Sequence, residues 1–289
     1  MREAPPVLLA GVGDEASPDL DGQLAALRRL GFRGIELRTL DGIAVADLDP
    51  ARFADAARRI AEDGMSVVAL ASRIGGWARP VSGPFGRDLG ELRILADRAH
   101  ALGCRFIRIM SYPNQGLDGA GWRREAMRRV AELVELAAAL DVTLLHENCS
   151  GWASQGVEQT LAMLREIASP HLGLLFDVGN VRVADQDPVA FLGRVLPHVR
   201  HVHVKDVVWD ADGAAQFTWP GEGEAQLAEC LSMLEAAGYA GAIAIEPHLA
   251  HIPHLGITAD TATLRECFVE FGGRFERIAR TVWRAGRSQ

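Results

Sequence analysis

The 289 residues predict an α/β fold, a single (β/α)8 TIM barrel, on three observations. Short apolar strands alternate with amphipathic helices from one end of the chain to the other. The alternation repeats eight times with no break in composition, so 1–289 reads as one domain. The length is close to the roughly 250 residues that eight such units need around one core.

Strands are expected at about 7–13, 34–38, 66–73, 106–112, 143–148, 172–178, 199–207 and 242–247. Helices are expected at Asp19–Leu30, Pro50–Asp63, Leu89–Leu102, Trp122–Leu140, Val157–Ala168, Pro188–Leu196, Ala225–Ala237 and Thr263–Trp283, where apolar residues recur at i, i+3, i+4 and i+7. Gly31, Gly64, Gly103 and Gly238 each follow a helical run, the place of a left-handed C-cap. Leu-Gly-Phe-Arg-Gly-Ile-Glu36 and Leu-Gly-Cys-Arg-Phe-Ile-Arg108 repeat one helix–cap–strand junction. A doubly wound open sheet is the alternative architecture. Against it, Gly11-Val-Gly13 is not followed by the rest of a dinucleotide-binding turn.

Composition narrows the partners. Apolar residues make up 48% and charged residues 24%, a globular balance. The net charge of −8 repels phosphate backbones, so nucleic acid is not an expected partner. Arg123, Arg124, Arg128 and Arg129 fall at helical spacing and read as a solvated face. Cys104, Cys149, Cys230 and Cys267 are scattered, giving neither a disulfide framework nor a zinc knuckle. Reduced thiols place the protein in the cytoplasm. The apolar run Val7–Val12 is too short for a cleavable signal, and no stretch is long enough to span a membrane. A homo-oligomer, dimer or tetramer, is the expected assembly.

Active sites of such barrels lie at the C-terminal ends of the strands. Strand five ends His146-Glu147-Asn148, and strand six ends Asp177-Val-Gly-Asn180. Strand seven carries His201, His203, Lys205 and Asp206, and strand eight ends Glu246-Pro247-His248. Three carboxylates gathered at one rim repel one another, and a divalent cation removes that penalty. Oxygen donors with one imidazole suit Mn, Mg, Co or Zn. Glu147, Asp177, His203 and Glu246 are therefore the expected ligands, with coordination positions left for substrate oxygens or water. Each residue also has a plainer role open to it. Asp177 suits a helix N-cap and His203 a hydrogen-bonded interior histidine. Glu147 and Glu246 suit ion pairs with Arg108 or Lys205.

The motifs Leu-Leu-His-Glu147-Asn, Leu-Phe-Asp177-Val-Gly-Asn, His201-Val-His203-Val-Lys205-Asp206, Gly221-Glu-Gly223 and Gly238-Tyr-Ala-Gly-Ala-Ile-Ala-Ile-Glu246 resemble the xylose-isomerase-like TIM-barrel superfamily. Within it the chain is similar to the sugar-phosphate isomerase/epimerase branch, with its ketose 3-epimerases and L-ribulose-5-phosphate 3-epimerases. The resemblance implies one divalent metal, manganese first, on Glu147, Asp177, His203 and Glu246, with Glu147 and Glu246 also serving as the acid/base pair. It implies a sugar or sugar phosphate as substrate and proton abstraction beside a carbonyl, through an enediolate held by the metal. Two departures bear on substrate contacts. Asn180 stands where the free-sugar epimerases carry histidine, and Trp209 where they carry arginine.

Lys205, Asn180, His248, Arg108, Glu36 and Trp152 are the expected substrate contacts. Lys205 equally suits an ion pair with Glu147 or Asp177, and Trp152 suits loop packing. Trp77 and Arg79 lie in a Gly- and Pro-rich stretch after strand three, which reads as a lid. His248, His251 and His254 repeat at a spacing of three, but Pro247 and Pro253 break any helix that would align them for a second metal, which leaves His248 or His254 to meet the substrate's far end. A dehydratase on a keto-polyol or dehydroshikimate shares the first proton abstraction and is the alternative activity. A non-catalytic sugar-binding or partner subunit is the other. A DNA-repair endonuclease on this scaffold needs further ligands where strands three and four offer Ser72, Arg73, Ser111 and Tyr112.

Overall fold

A computed structural model describes residues 7–286. Eight parallel strands close into a barrel: β1 (Leu8–Val12), β2 (Gly34–Leu37), β3 (Ser66–Ala71), β4 (Phe106–Ser111), β5 (Thr143–Gly151), β6 (Leu172–Asp177), β7 (Val199–Val204) and β8 (Ala242–Ile245). Their spatial order follows the sequence, β8 closing on β1 with Gly11 level with Ile245. β6 is buried along its whole length, as expected of a strand covered on both faces.

The helices are α1 (Leu20–Leu30), α2 (Pro50–Glu62), α3 (Gly86–Ala101), α4 (Gly119–Ala139), α5 (Val157–Ile167), α6 (Val178–Val183), α7 (Pro188–Val195), α8 (Leu227–Ala236) and α9 (Thr261–Gly286). Aspartate starts many of them: Asp19, Asp49, Asp118, Asp177 and Asp187 each accept a backbone N–H of the first turn. Each such cap contributes about 1 kcal/mol. Gly31, Gly64, Gly103 and Gly238 all take positive φ, as their positions after helices require.

Three boundaries differ from the sequence reading for physical reasons. The stretch read as one strand from 199 to 207 is two, because β7 stops at Val204 and Asp206–Trp209 turns away to pair with Ala215–Thr218. The Asp206 carboxylate imposes this turn, accepting the N–H groups of Val207, Gly221, Gly223 and Ala225. β5 runs three residues longer than read, to Gly151, across a register shift in its pairing with β4. Gly151 has φ 99°, and a Cβ there would lie 2.2 Å from the Ser111 carbonyl carbon, so only glycine fits. The short helix α6, absent from the reading, follows Asp177 directly.

The chain divides into two compact units. One holds the residues up to Glu36, Phe176–Leu196 and those from His201 onward; the other holds Leu37–Leu175 and Pro197–Arg200. No helix among the described residues is long and apolar enough to cross a membrane.

Candidate functional site

In the first unit the strand ends bring together a buried ionic cluster. Along β7, successive side chains alternate faces, so His201, His203 and the following Lys205 share one face. That face meets Glu36 of β2: His201 Nε2 and His203 Nε2 both lie 2.8 Å from Glu36 Oε2. Burial raises the Glu36 carboxyl, but the His203 charge and hydrogen bonds from both imidazoles outweigh it and hold the group below the ordinary carboxylate range. An ionised Glu36 accepts the Nε2–H of His203 and so turns Nδ1 toward the neighbouring strand ends.

His203 Nδ1 stands 3.1 Å from Glu246 Oε2 and 3.8 Å from Asp177 Oδ2. Asp177, His203 and Glu246 each offer a ligand atom within 4.8 Å of the others. Two carboxylate oxygens and an imidazole nitrogen, all buried, form a donor set that fits a divalent ion of the Mn, Mg, Co or Zn type. Burial lowers the His203 pKa, yet Glu36 and Glu246 outweigh it and raise it to about 10. A doubly protonated ring is no ligand, so an ion bound here would have to displace the Nδ1 proton. At Glu246 burial raises the pKa, but Lys205, His248 and His203 together hold it well below the ordinary range.

Asp177 is the helix cap that its sequence allows, and it also pairs with Lys205. Its Oδ1 accepts the Asn180 N–H as the cap of α6, while its Oδ2 meets the Lys205 ammonium. Lys205 also reaches Glu246 Oε2. Asn180 is half-buried in the first turn of α6.

Glu15 is a site residue that the sequence reading passes over. It lies just past β1 and accepts both the His248 backbone N–H, at 2.8 Å, and His248 Nδ1–H, at 2.7 Å. His248 is buried beside Glu246, packs edge-on against Phe217 and holds a left-handed φ of 53°. A non-glycine residue in that conformation is strained and persists only where its surroundings fix it, here through Glu15. The signal for Glu15 was the rule applied to strands five to eight: a carboxylate directly after a strand. His251 lies in a short antiparallel pair with Thr258, not on a helix shared with His248; the His254 side chain lies outside the described residues.

In the second unit, Glu147 occupies β5 level with Leu175 of β6, two residues before Asp177. Arg108 of β4 donates to Glu147 Oε2 at 2.6 Å and to the Ser72 carbonyl at 3.1 Å, the ion pair open to Glu147 on sequence. His146 beside it is fully buried, and burial drives its pKa down to about 4, so it is neutral. Trp152 is buried with the Arg123 guanidinium 5.4 Å from its ring centre. The stretch read as a lid is anchored: Arg79 is buried against Asp88 and Glu91 of α3, although Trp77 is 55% exposed. Arg129 also departs from the solvated face, being buried against Glu125 and the Gly83 carbonyl.

Residues 24–267 match a family model described as "Xylose isomerase-like TIM barrel". The rhizopine catabolism protein MocC of Rhizobium meliloti is 29% identical over 153 residues, 47% of this chain and 46% of that protein. An inosose dehydratase of Geobacillus thermodenitrificans is 27% identical over 128 residues, 39% and 43% of the two chains. L-ribulose-5-phosphate 3-epimerase UlaE of Escherichia coli is 28% identical over 149 residues, 51% of each. The chain thus spans about half the length of the curated relatives it matches. Among solved structures, the probable 3-DHS dehydratase AsbF of Bacillus anthracis has a TM-score of 0.71 at 16% identity, covering 90% of this chain and 97% of that one. An L-ribulose 3-epimerase has a TM-score of 0.71 at 20% identity, covering 99% and 98%. The IOLI protein, with a bound zinc atom, has a TM-score of 0.70 at 16% identity, covering 96% of each chain. These structural likenesses are of fold.

Proposed function

The chain belongs to the xylose isomerase-like TIM barrel family, and from that premise we propose that it is a metal-dependent enzyme that shifts a proton beside the carbonyl of a sugar or sugar phosphate, yielding the epimer or isomer. The observation that carries this proposal is the meeting of Asp177, His203 and Glu246 at the ends of consecutive strands, with their ligand atoms within 4.8 Å of one another. Glu147 completes the proposed ligand set, and residues 1–289 act as one domain. These residues would hold a divalent ion, manganese first among candidates, whose Lewis acidity would polarise the substrate carbonyl and acidify the adjacent C–H.

The chain's own residues supply the rest. Glu246 and Glu147 form the proton-transfer pair: one removes the proton, and the other returns one to the opposite face of the planar enediolate. Glu36 acts on the site indirectly, fixing the His203 tautomer. His248, oriented by Glu15, meets a substrate hydroxyl, while Arg108, Asn180 and Trp152 line the remainder. The similarity to UlaE supports the epimerase reading, and that to an inosose dehydratase supports a second one, in which a β-hydroxyl leaves after the same first step.

Incubation with ketoses, ketose phosphates and keto-inositols in D2O tests both. The loaded wild type is expected to wash deuterium into the carbon beside a carbonyl, and Glu246→Gln to lose that exchange by at least about 10³-fold. Growth of an enone absorbance assigns the dehydratase branch. Exchange by Glu246→Gln at the wild-type rate sinks the proposed role of this residue.

A further inference from the structure

Lys205 is the chain's only lysine; the other 29 of its 30 basic residues are arginine. It is among the largest fully buried side chains, 2% exposed. Its ammonium contacts Asp177 Oδ2 and Glu246 Oε2, and these are the oxygens toward which His203 Nδ1 also points. Gly179 of Asp177-Val-Gly179-Asn180 lets the chain at position 205 pack closely, because a Cβ there would stand 2.5 Å from Lys205 Cβ and 3.2 Å from the Lys205 carbonyl.

A divalent ion held by Asp177, His203 and Glu246 would therefore compete with this ammonium for the same carboxylates. We propose that Lys205 is the resident counter-cation of the site. It holds Asp177 and Glu246 together, gives up their oxygens when a divalent ion is bound, and then turns its ammonium to the substrate oxygen on which negative charge develops. This rests on the metal-dependent reading above. The choice of lysine supports it, because every other basic position in the chain is arginine. A guanidinium grips a carboxylate with a planar two-pronged fork and holds it. A compact ammonium on a four-carbon stem exchanges one oxygen for another with little reorganisation. An ammonium and a dication drawn to the same oxygens repel each other, so the lysine charge weakens ion binding while it readies the group for the substrate.

The test is the Mn2+ dissociation constant, read by chelator competition, for the wild type, Lys205→Met and Lys205→Arg, with thermal melts to check folding. Lys205→Met is expected to bind Mn2+ at least about tenfold more tightly than the wild type, and Lys205→Arg no more tightly than the wild type. The loaded Lys205→Met protein, despite its tighter ion, is expected to turn over at least about tenfold more slowly. Should Lys205→Met not fold, Lys205→Gln removes the same charge and carries the comparison. Equal or weaker Mn2+ binding by the neutral variant overturns the proposal and leaves the metal site standing. A wild type that binds none of Mn2+, Mg2+, Co2+ and Zn2+ overturns both.

Discussion

Two clusters of buried charge, one in each compact unit, are built from different cations. In the loop after β3, Arg79 grips Asp88 and Glu91, and Arg73 spans Glu91 and Asp47. The Tyr112 hydroxyl donates to Asp88 Oδ2 at 3.0 Å. Around β6 to β8 the carboxylates Glu36, Asp177 and Glu246 face imidazoles and one ammonium. The arginine cluster is closed: guanidinium forks bind carboxylates in fixed geometry, and the result pins a loop. The other cluster is built from imidazoles and an ammonium, and it gathers its carboxylates where a dication would compete for them. Burial and charge density are alike in the two clusters, and the kind of cation is what differs.

The comparison breaks most readily at Arg79. Arg79→Met leaves Asp88 without its guanidinium and is expected to cost about 3–5 kcal/mol in urea unfolding, because a buried carboxylate loses its counter-ion. Mn2+ affinity should be unchanged. A cost below about 1 kcal/mol would show that the arginine cluster is not closed in the sense claimed. Glu36→Gln sharpens the other side. It leaves His203 Nε2 without its anionic anchor, and the expected loss is about 10–100-fold in Mn2+ affinity with a small change in melting temperature. A large melting-temperature loss at unchanged affinity would make Glu36 a structural residue like Asp88. Arg105→Ala sets the baseline. Its pair with Asp141 is 68% exposed on both sides, and its removal should fall within about 0.5 kcal/mol of the wild type in the same unfolding assay.

What the sequence made legible was whatever is written locally. The eight strands show as apolar runs, and helix ends show as Gly31, Gly64, Gly103 and Gly238. The site's carboxylates and imidazoles show as polar residues where strands finish. Asp177 was legible twice over, since capping α6 and facing Lys205 use different oxygens of one carboxylate. Pairings across long sequence separations were not. Glu15 and His248 are 233 residues apart, and no periodicity links them. Glu36 read as a substrate contact because its partners, His201 and His203, lie 165 and 167 residues away. Arg79 sat among glycines and prolines that signal a loop, and only the fold shows α3 holding it down. The end of β7 was misread because Val207 and Val208 continue the apolar run, while the turn is set by Asp206 reaching forward to Gly221, Gly223 and Ala225.

The lone, enclosed Lys205 has a practical consequence. A lysine-specific protease has one bond to cut in the chain, and that bond is buried just past the end of β7, so cleavage must wait for the molecule to open. Two fragments on a gel then time global unfolding with no label attached. A compound that delays their appearance without slowing the protease on an unfolded substrate is a ligand of the folded form, which turns the search for the natural substrate into a proteolysis screen.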